Sequence, residues 1–257
     1  MTPTPTERTP TERTPTEPSE TKSAPNPPDA TKISEYEIYL GVPTLLSLQK
    51  PSAERTHRDE LLFQVVHQVE ELWMKLIQDD LEHAIAHLDA DRIIDAFPYL
   101  KRITETERLM LTQLRLIETM TPHSYIAVRR GLGQGSGQES PGFNAMLRIA
   151  PALGTALDGV LARAGTTSLA IHQEPERQPL LLQLTEHVLD FDELFQAFRY
   201  HHVMLVKRII GAGTPSLKGK PTELLERSMR TPFYPELWQL RETMFADFVR
   251  GATLKAY

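Results

Sequence analysis

The stretch from Asp59 to His87, DELLFQVVHQVEELWMKLIQDDLEHAIAH, constrains the fold more than any other part of the chain. Leu61, Leu62, Val65, Val66, Val69, Leu72, Trp73, Leu76, Ile77 and Leu81 recur at three- and four-residue intervals, the period of an amphipathic helix several turns long. Asp59 and Glu60 place acidic side chains where a helix N-terminus favours them. His67 and Gln68 interrupt the apolar side. Phe63 lies four residues before His67 and projects from the same face, one turn away. Taken alone, such a histidine is more often a hydrogen-bonded core or surface residue than a functional one.

Helical periodicity continues down the chain. Ile93, Ile94, Phe97, Leu100, Ile103, Leu109, Leu116 and Ile117 predict a second helix over residues 90–120, with Pro98 as a kink or break. Thr121-Pro122 opens a short helix that sets Tyr125 and Arg129 on one face. It ends in GLGQGSGQESPGF, where five glycines between 131 and 142 form a loop able to approach a ligand closely. No GK[ST] follows and no strand precedes, so this loop is not a Walker motif. Residues 144–185 are helical in composition, with 165–179 expected as a loop. A strong helix then covers 180–210, carries His187, His201 and His202, and stops at Gly211 and Gly213. GTPSLKGKP reads as a mobile loop, and TPFYPELWQLRETMFADFV as a turn and final helix. Upstream, Ser34 is a candidate cap for a short helix bearing Tyr36, Tyr39 and Leu40, with Pro43 expected to break it. Strand signals are nearly absent. The class is all-α.

Residues 1–31 repeat TPTER and are rich in proline and threonine, with too few apolar groups to offset ordering entropy. They predict a disordered tail, leaving 32–257 as a single domain. A hydrophobic content of 40% and charged content of 24% suit a globular protein. The net charge of −6, without a basic patch, gives no expectation of nucleic acid. No apolar run approaches the ~20 residues of a bilayer span, so no membrane partner is expected. With no cysteine there is no disulfide, thiolate site or cysteine nucleophile, which fits a cytoplasmic protein.

Neither a Gly-x-Ser-x-Gly elbow nor a dinucleotide fingerprint is present. An all-α scaffold with scattered histidines leaves a di-iron carboxylate bundle, a haem pocket or a helical interaction module. For di-iron, Glu54-Arg-Thr-His57 falls in a polar approach segment and Asp80-Leu-Glu-His83 on an apparently solvated face. For haem, Tyr200-His201-His202-Val203-Met204-Leu205-Val206 sets an imidazole in an apolar stretch. The two histidines face about 100° apart, so one iron can take only one of them.

Four segments in order, DELLFQVVHQVEELWMKLI, TPHSYIAVRRGLGQGSG, FRYHHVMLVKRIIG and FYPELWQLR, resemble the tryptophan 2,3-dioxygenase superfamily, as does the opening YEIYLGVPTLLSLQ. The resemblance spans Tyr36 to Arg241 and is weakest between Phe143 and Leu189. It implies a helical bundle enclosing haem b, with dioxygen as co-substrate and tryptophan or a tryptophan derivative as substrate. It implies that His202 ligates the haem iron, that His67 accepts the indole N–H, and that Phe63 packs on the indole. Tyr125 and Arg129 take the places that bind the carboxylate, a task suited to a guanidinium fork. Leu132 and Gly137 would line the distal pocket, and Thr214 or Ser216 would meet the substrate's polar end. Tyr36, Tyr39 and Leu40 match residues that reach into a neighbouring subunit's pocket, so a homotetramer is implied. The chain departs from the family at GSGQES, where the family has GSGFQS, and at GTPSLKGKP, where it has GTGGSSG. These departures count against ring cleavage to N-formylkynurenine, and the resemblance extends to superfamily members that add one oxygen to a modified tryptophan, such as a β-substituted one, giving a 2-oxindole in secondary metabolism, the outcome expected here ahead of cleavage.

Overall fold

The computed structural model describes residues 33–133, 135–211 and 231–255, apart from the side chains of Gln138, Asp247 and 251–255. The tail at 1–31 lies outside the described residues, as do Thr214 and Ser216. Every regular element among the described residues is helical. The chain divides into two units, one ending at Leu48 and one beginning at Gln49.

In the first unit, Glu35–Leu40 (α1) and Val42–Leu45 (α2) are short. Ser34 caps α1 reciprocally: its hydroxyl accepts the Glu37 N–H at 3.2 Å, and the Glu37 carboxylate accepts the Ser34 N–H at 2.8 Å. The break comes earlier than Pro43. Gly41 adopts φ 63°, which a side chain would resist, and Pro43 then sits in the first turn of α2, where its missing N–H costs nothing. Neither helix has a buried residue.

The second unit is built on Glu60–Asp89 (α3), Ile93–Ile117 (α4), Pro122–Gly131 (α5), Pro141–Arg163 (α6), Ser168–Gln173 (α7), Pro179–Ile210 (α8) and Pro235–Lys255 (α9). Short 3₁₀ turns lie at Ser52–Glu54 and Gly137–Glu139. α3 packs against α4 and α6, and α4 packs against α8. Val66, Met74, Ile77, Leu81, Ala84 and Leu88 carry the buried stripe of α3. Val65 and Leu72, read from periodicity as part of that stripe, are exposed. α4 runs unbroken through Pro98, whose absent N–H leaves the carbonyl of exposed Ile94 to solvent. Residues 165–179 are not all loop, because Thr167 accepts the Ala170 N–H and starts α7. α6 is long and apolar enough to cross a membrane by length and composition, against the expectation that no run is. Met146, Ala150, Leu153, Leu157, Val160 and Leu161 place its apolar side in the core.

Polar groups inside this core are mostly matched. Asp80, expected on a solvated face, is fully buried and takes a forked pair of bonds from Arg102, while His83 is exposed. Asp192 accepts the N–H groups of Phe233 and Tyr234 at 3.0 and 3.1 Å and the Trp238 indole at 3.0 Å, fixing the start of α9 to α8. Two carboxyls are not matched. Both oxygens of Glu70 on α3 and Glu107 on α4 are buried with no hydrogen-bond partner among the described residues. Burial lifts Glu70 to about 8, with Glu71 adding, and lifts Glu107 well above its usual range, with Asp192 adding.

Candidate active site

The site starts at the second and third turns of α3. The rings of Phe63 and His67 lie 4.0 Å apart at 31°, as four-residue spacing on one face allows. His67 Nδ1 lies 2.7 Å from the Phe63 carbonyl oxygen, which can only accept, so Nδ1 carries the proton. In the neutral ring Nε2 is then an acceptor. Burial pushes the imidazole below its usual pKa, opposed by that carbonyl and by Glu71. His67 nonetheless keeps exposed surface.

α5 brings the next two groups. Thr121 accepts the Ser124 N–H at 3.1 Å and Pro122 occupies the first turn, so the helix starts sharply. Ser124 and Val128 are buried, which turns their neighbours Tyr125 and Arg129 to the adjoining face. Tyr125 lies 6.2 Å from Phe63, ring to ring. Burial raises its phenol and Arg129 draws it back, so the hydroxyl stays protonated near neutral pH and the guanidinium is close to it. Glu60 secures this helix to α3. Its carboxylate accepts Lys50 Nζ at 2.6 Å and the Thr56 N–H at 2.7 Å, and Thr56 Oγ1 donates to the Ala127 carbonyl at 3.2 Å. Leu132 closes α5 half-buried, and Gly137 opens the following 3₁₀ turn. A Cβ at Gly137 would meet no atom within 4 Å.

The two histidines of α8 have different surroundings. His201 Nε2 is 3.0 Å from Glu118 Oε1, beside a cleft of ≈ 280 Å³ lined by Leu111, Thr112, Arg115, Ala197, Tyr200 and His201. His202 is half-buried, its ring has no hydrogen bond to a described residue, and burial pushes it to about 4. The charge of His67 lowers it further. The neutral imidazole beside buried Val203 could hold a haem iron through a ring nitrogen, whereas the imidazole of His201 is bonded to Glu118.

Phe63, His67 and Tyr125 therefore come together from α3 and α5, with Arg129 one turn beyond Tyr125, and α8, which carries His202, packs against α5. Tyr36, Tyr39 and Leu40 lie in the first unit, 71%, 89% and 48% exposed. The two matches to Glu-x-x-His spacing do not assemble: among the described residues no three metal-ligating side chains converge. Sequence reasoning gave Glu60 only as an acidic group at a helix N-terminus and missed Glu71. Glu71 is four residues beyond His67 on one face, but that spacing alone does not single it out, and its partners are 69 and 71 residues away.

A family model described as tryptophan 2,3-dioxygenase matches residues 23–149. The chain is 30% identical to a tryptophan 2,3-dioxygenase of Myxococcus xanthus (strain DK1622), over 80% of this chain and 88% of that one. It is 30% identical to one of Bacillus anthracis, over 80% and 91%, and 29% identical to one of Serratia proteamaculans (strain 568), over 83% and 94%. The class these define is an all-α oxygenase of a haem-dependent family. The chain belongs to the tryptophan 2,3-dioxygenase family.

Proposed function

We propose that this protein uses haem b and dioxygen to oxygenate the C2–C3 bond of the indole of tryptophan or a substituted tryptophan. The observation that carries this is the ring cluster of Phe63, His67 and Tyr125, Phe63 tilted 31° against His67, with Arg129 one turn beyond Tyr125 and a neutral His202 on α8. The names of the relatives support it as well.

Bound haem would supply the activation of dioxygen, which no side chain here provides. His202 would hold it through a ring nitrogen that needs no deprotonation. His67 Nε2 would accept the indole N–H, orienting the ring against Phe63. Arg129 would balance the substrate carboxylate, whose burial without a cation costs several kcal/mol. Protonated Tyr125 would donate a further bond. Leu132 and Gly137 would wall the distal side, and Thr214 or Ser216 would meet the substrate's polar end. Tyr36, Tyr39 and Leu40 would complete the pocket of a neighbouring subunit in a homotetramer. Their exposure, and that of Leu109, Leu116, Tyr200 and Met204 on the second unit, supports assembly. The lack of cysteine fits a cytoplasmic setting.

The proposed outcome is a 2-oxindole formed from a modified tryptophan such as a β-substituted one. Gln138 and Glu139, which stand where the family has Phe and Gln, support it. One-oxygen insertion requires two electrons and two protons from a donor to reduce the other oxygen atom to water. The second reading, ring cleavage of tryptophan with both atoms retained, requires none, and the relatives' names favour it. Ferrous holoprotein given tryptophan and β-methyltryptophan with limiting reductant separates them. Stoichiometric consumption of reductant is the result for the oxindole; many turnovers after one reduction is the result for cleavage.

A further inference from the structure

We infer that Glu71 is a positioning residue for the distal side of the pocket, joining the glycine-rich segment 132–140 to the helix that bears His67; as a statement about substrate, this rests on the function proposed above. Both oxygens of this one carboxylate are engaged. Oε1 accepts the Ser140 hydroxyl, and Oε2 accepts the Gly142 N–H at 2.8 Å. Ser140 is at the same time the N-cap of α6, its oxygen accepting the Phe143 N–H at 3.0 Å. An anion at the first turn of α6 also suits the partial positive charge of that helix end. The segment upstream is organised locally: Glu139 accepts the Ser136 N–H at 3.0 Å, and the Glu139 N–H donates to the Ser136 carbonyl at 2.9 Å. That local turn gives 135–140 a shape, and its C-terminal end has to be tied to the helix that bears His67. Glu71 ties it, from one helical turn beyond His67.

Gly142 is the steric half of the joint. A Cβ there would lie 2.6 Å from Glu71 Oε2 and 3.0 Å from Met74 Cβ, so even alanine would displace the carboxylate or part α6 from α3. Gly137, in contrast, has open space around it. What the loop requires at its far end is close approach to α3, and Glu71 takes up that closeness with two hydrogen bonds.

The test uses the full-length holoprotein with Glu71→Gln, Ser140→Ala and, as the conservative control, Ser140→Thr, which keeps the hydroxyl. Amide hydrogen exchange is followed along the chain, and KM and kcat are measured for tryptophan. In Glu71→Gln the amide group cannot accept at both positions, so exchange should accelerate about tenfold or more over 132–144 while α4 and α8 stay as protected as in wild type. KM should rise about tenfold with kcat changed less, because a displaced wall weakens binding more than chemistry. Ser140→Ala should repeat this pattern and Ser140→Thr should not. Unchanged exchange in 132–144, or acceleration spread evenly over the fold, would overturn the anchor. Faster exchange with unchanged KM would overturn its part in the pocket. Wild-type protein that takes up no haem would refute the functional reading instead, while the exchange arm would still decide the anchor.

Discussion

Arg129 lies four residues beyond Tyr125 on α5, close enough to draw the phenol's pKa down against burial. Its planar fork matches a carboxylate in a way an ammonium does not. Arg129→Lys should therefore lower kcat/KM for tryptophan roughly ten- to hundredfold, the loss of one charge-assisted bond of ~1.5–3 kcal/mol. Arg129→Ala should be worse, and an indole without a carboxylate should be indifferent to either change. Binding followed through the haem Soret band checks this; wild-type affinity in Arg129→Ala would make the arginine structural. On α8 the contrast between neighbours is sharper. His202→Ala should abolish haem retention, whereas His201→Ala, losing only the contact with Glu118, should largely keep it. The opposite pattern would move the ligand by one position. His67 and Phe63 were legible because both partners in the contact lie on one helix face, four residues apart. Glu71 was not: nothing local to EELW announces a serine 69 residues later.

Between elements, the α3–α4 layer holds two carboxyls without hydrogen-bond partners among the described residues, and this has a consequence for pH. Burial raises Glu70 from 4.5 to about 8 and Glu107 in the same direction. From about pH 4.5 to about 8 the folded chain keeps a proton on Glu70 that the unfolded chain has lost. The folded state then binds more protons, so stability falls as pH rises, by up to ~1.4 kcal/mol per pH unit from this group, and levels off above about 8. Glu70→Gln keeps the shape without the charge. It should raise Tm relative to wild type at pH 8 and leave it nearly unchanged at pH 4.5, as thermal denaturation at the two values would reveal; an equal effect at both would show that the carboxyl ionises without cost. Sequence periodicity located α3, α4, α5 and α8 to within a few residues because their apolar faces are continuous. It misplaced the break at Gly41 onto Pro43, since proline is tolerated in a first turn. It also passed over α7, whose six residues are too few to show a period.

At the level of the whole molecule, the first unit bears Tyr36, Ile38, Tyr39 and Leu40 on a helix with no buried residue, and Leu46 and Leu48 just after the second helix, all exposed. Large apolar groups left uncovered this densely suit a contact surface. If that contact is a neighbouring subunit's pocket, removing residues 1–31 should leave activity intact, and removing 1–41 should cripple it and loosen the oligomer. Size-exclusion chromatography with an activity assay checks this, and full activity from a monomeric 1–41 deletion would defeat it. The all-α class was legible from composition and periodicity alone, whereas the site was legible only through the order of its motifs. Its groups come from α3, α5 and α8, and no spacing along the chain states that those faces meet. The central claim is that oxygen from dioxygen enters the indole of a tryptophan held between His67 and His202. Mass spectrometry of the product formed by reduced holoprotein from β-methyltryptophan under ¹⁸O₂ tests it most directly. One ¹⁸O atom on the indole carbon framework is the predicted result, and a product carrying no ¹⁸O would contradict it.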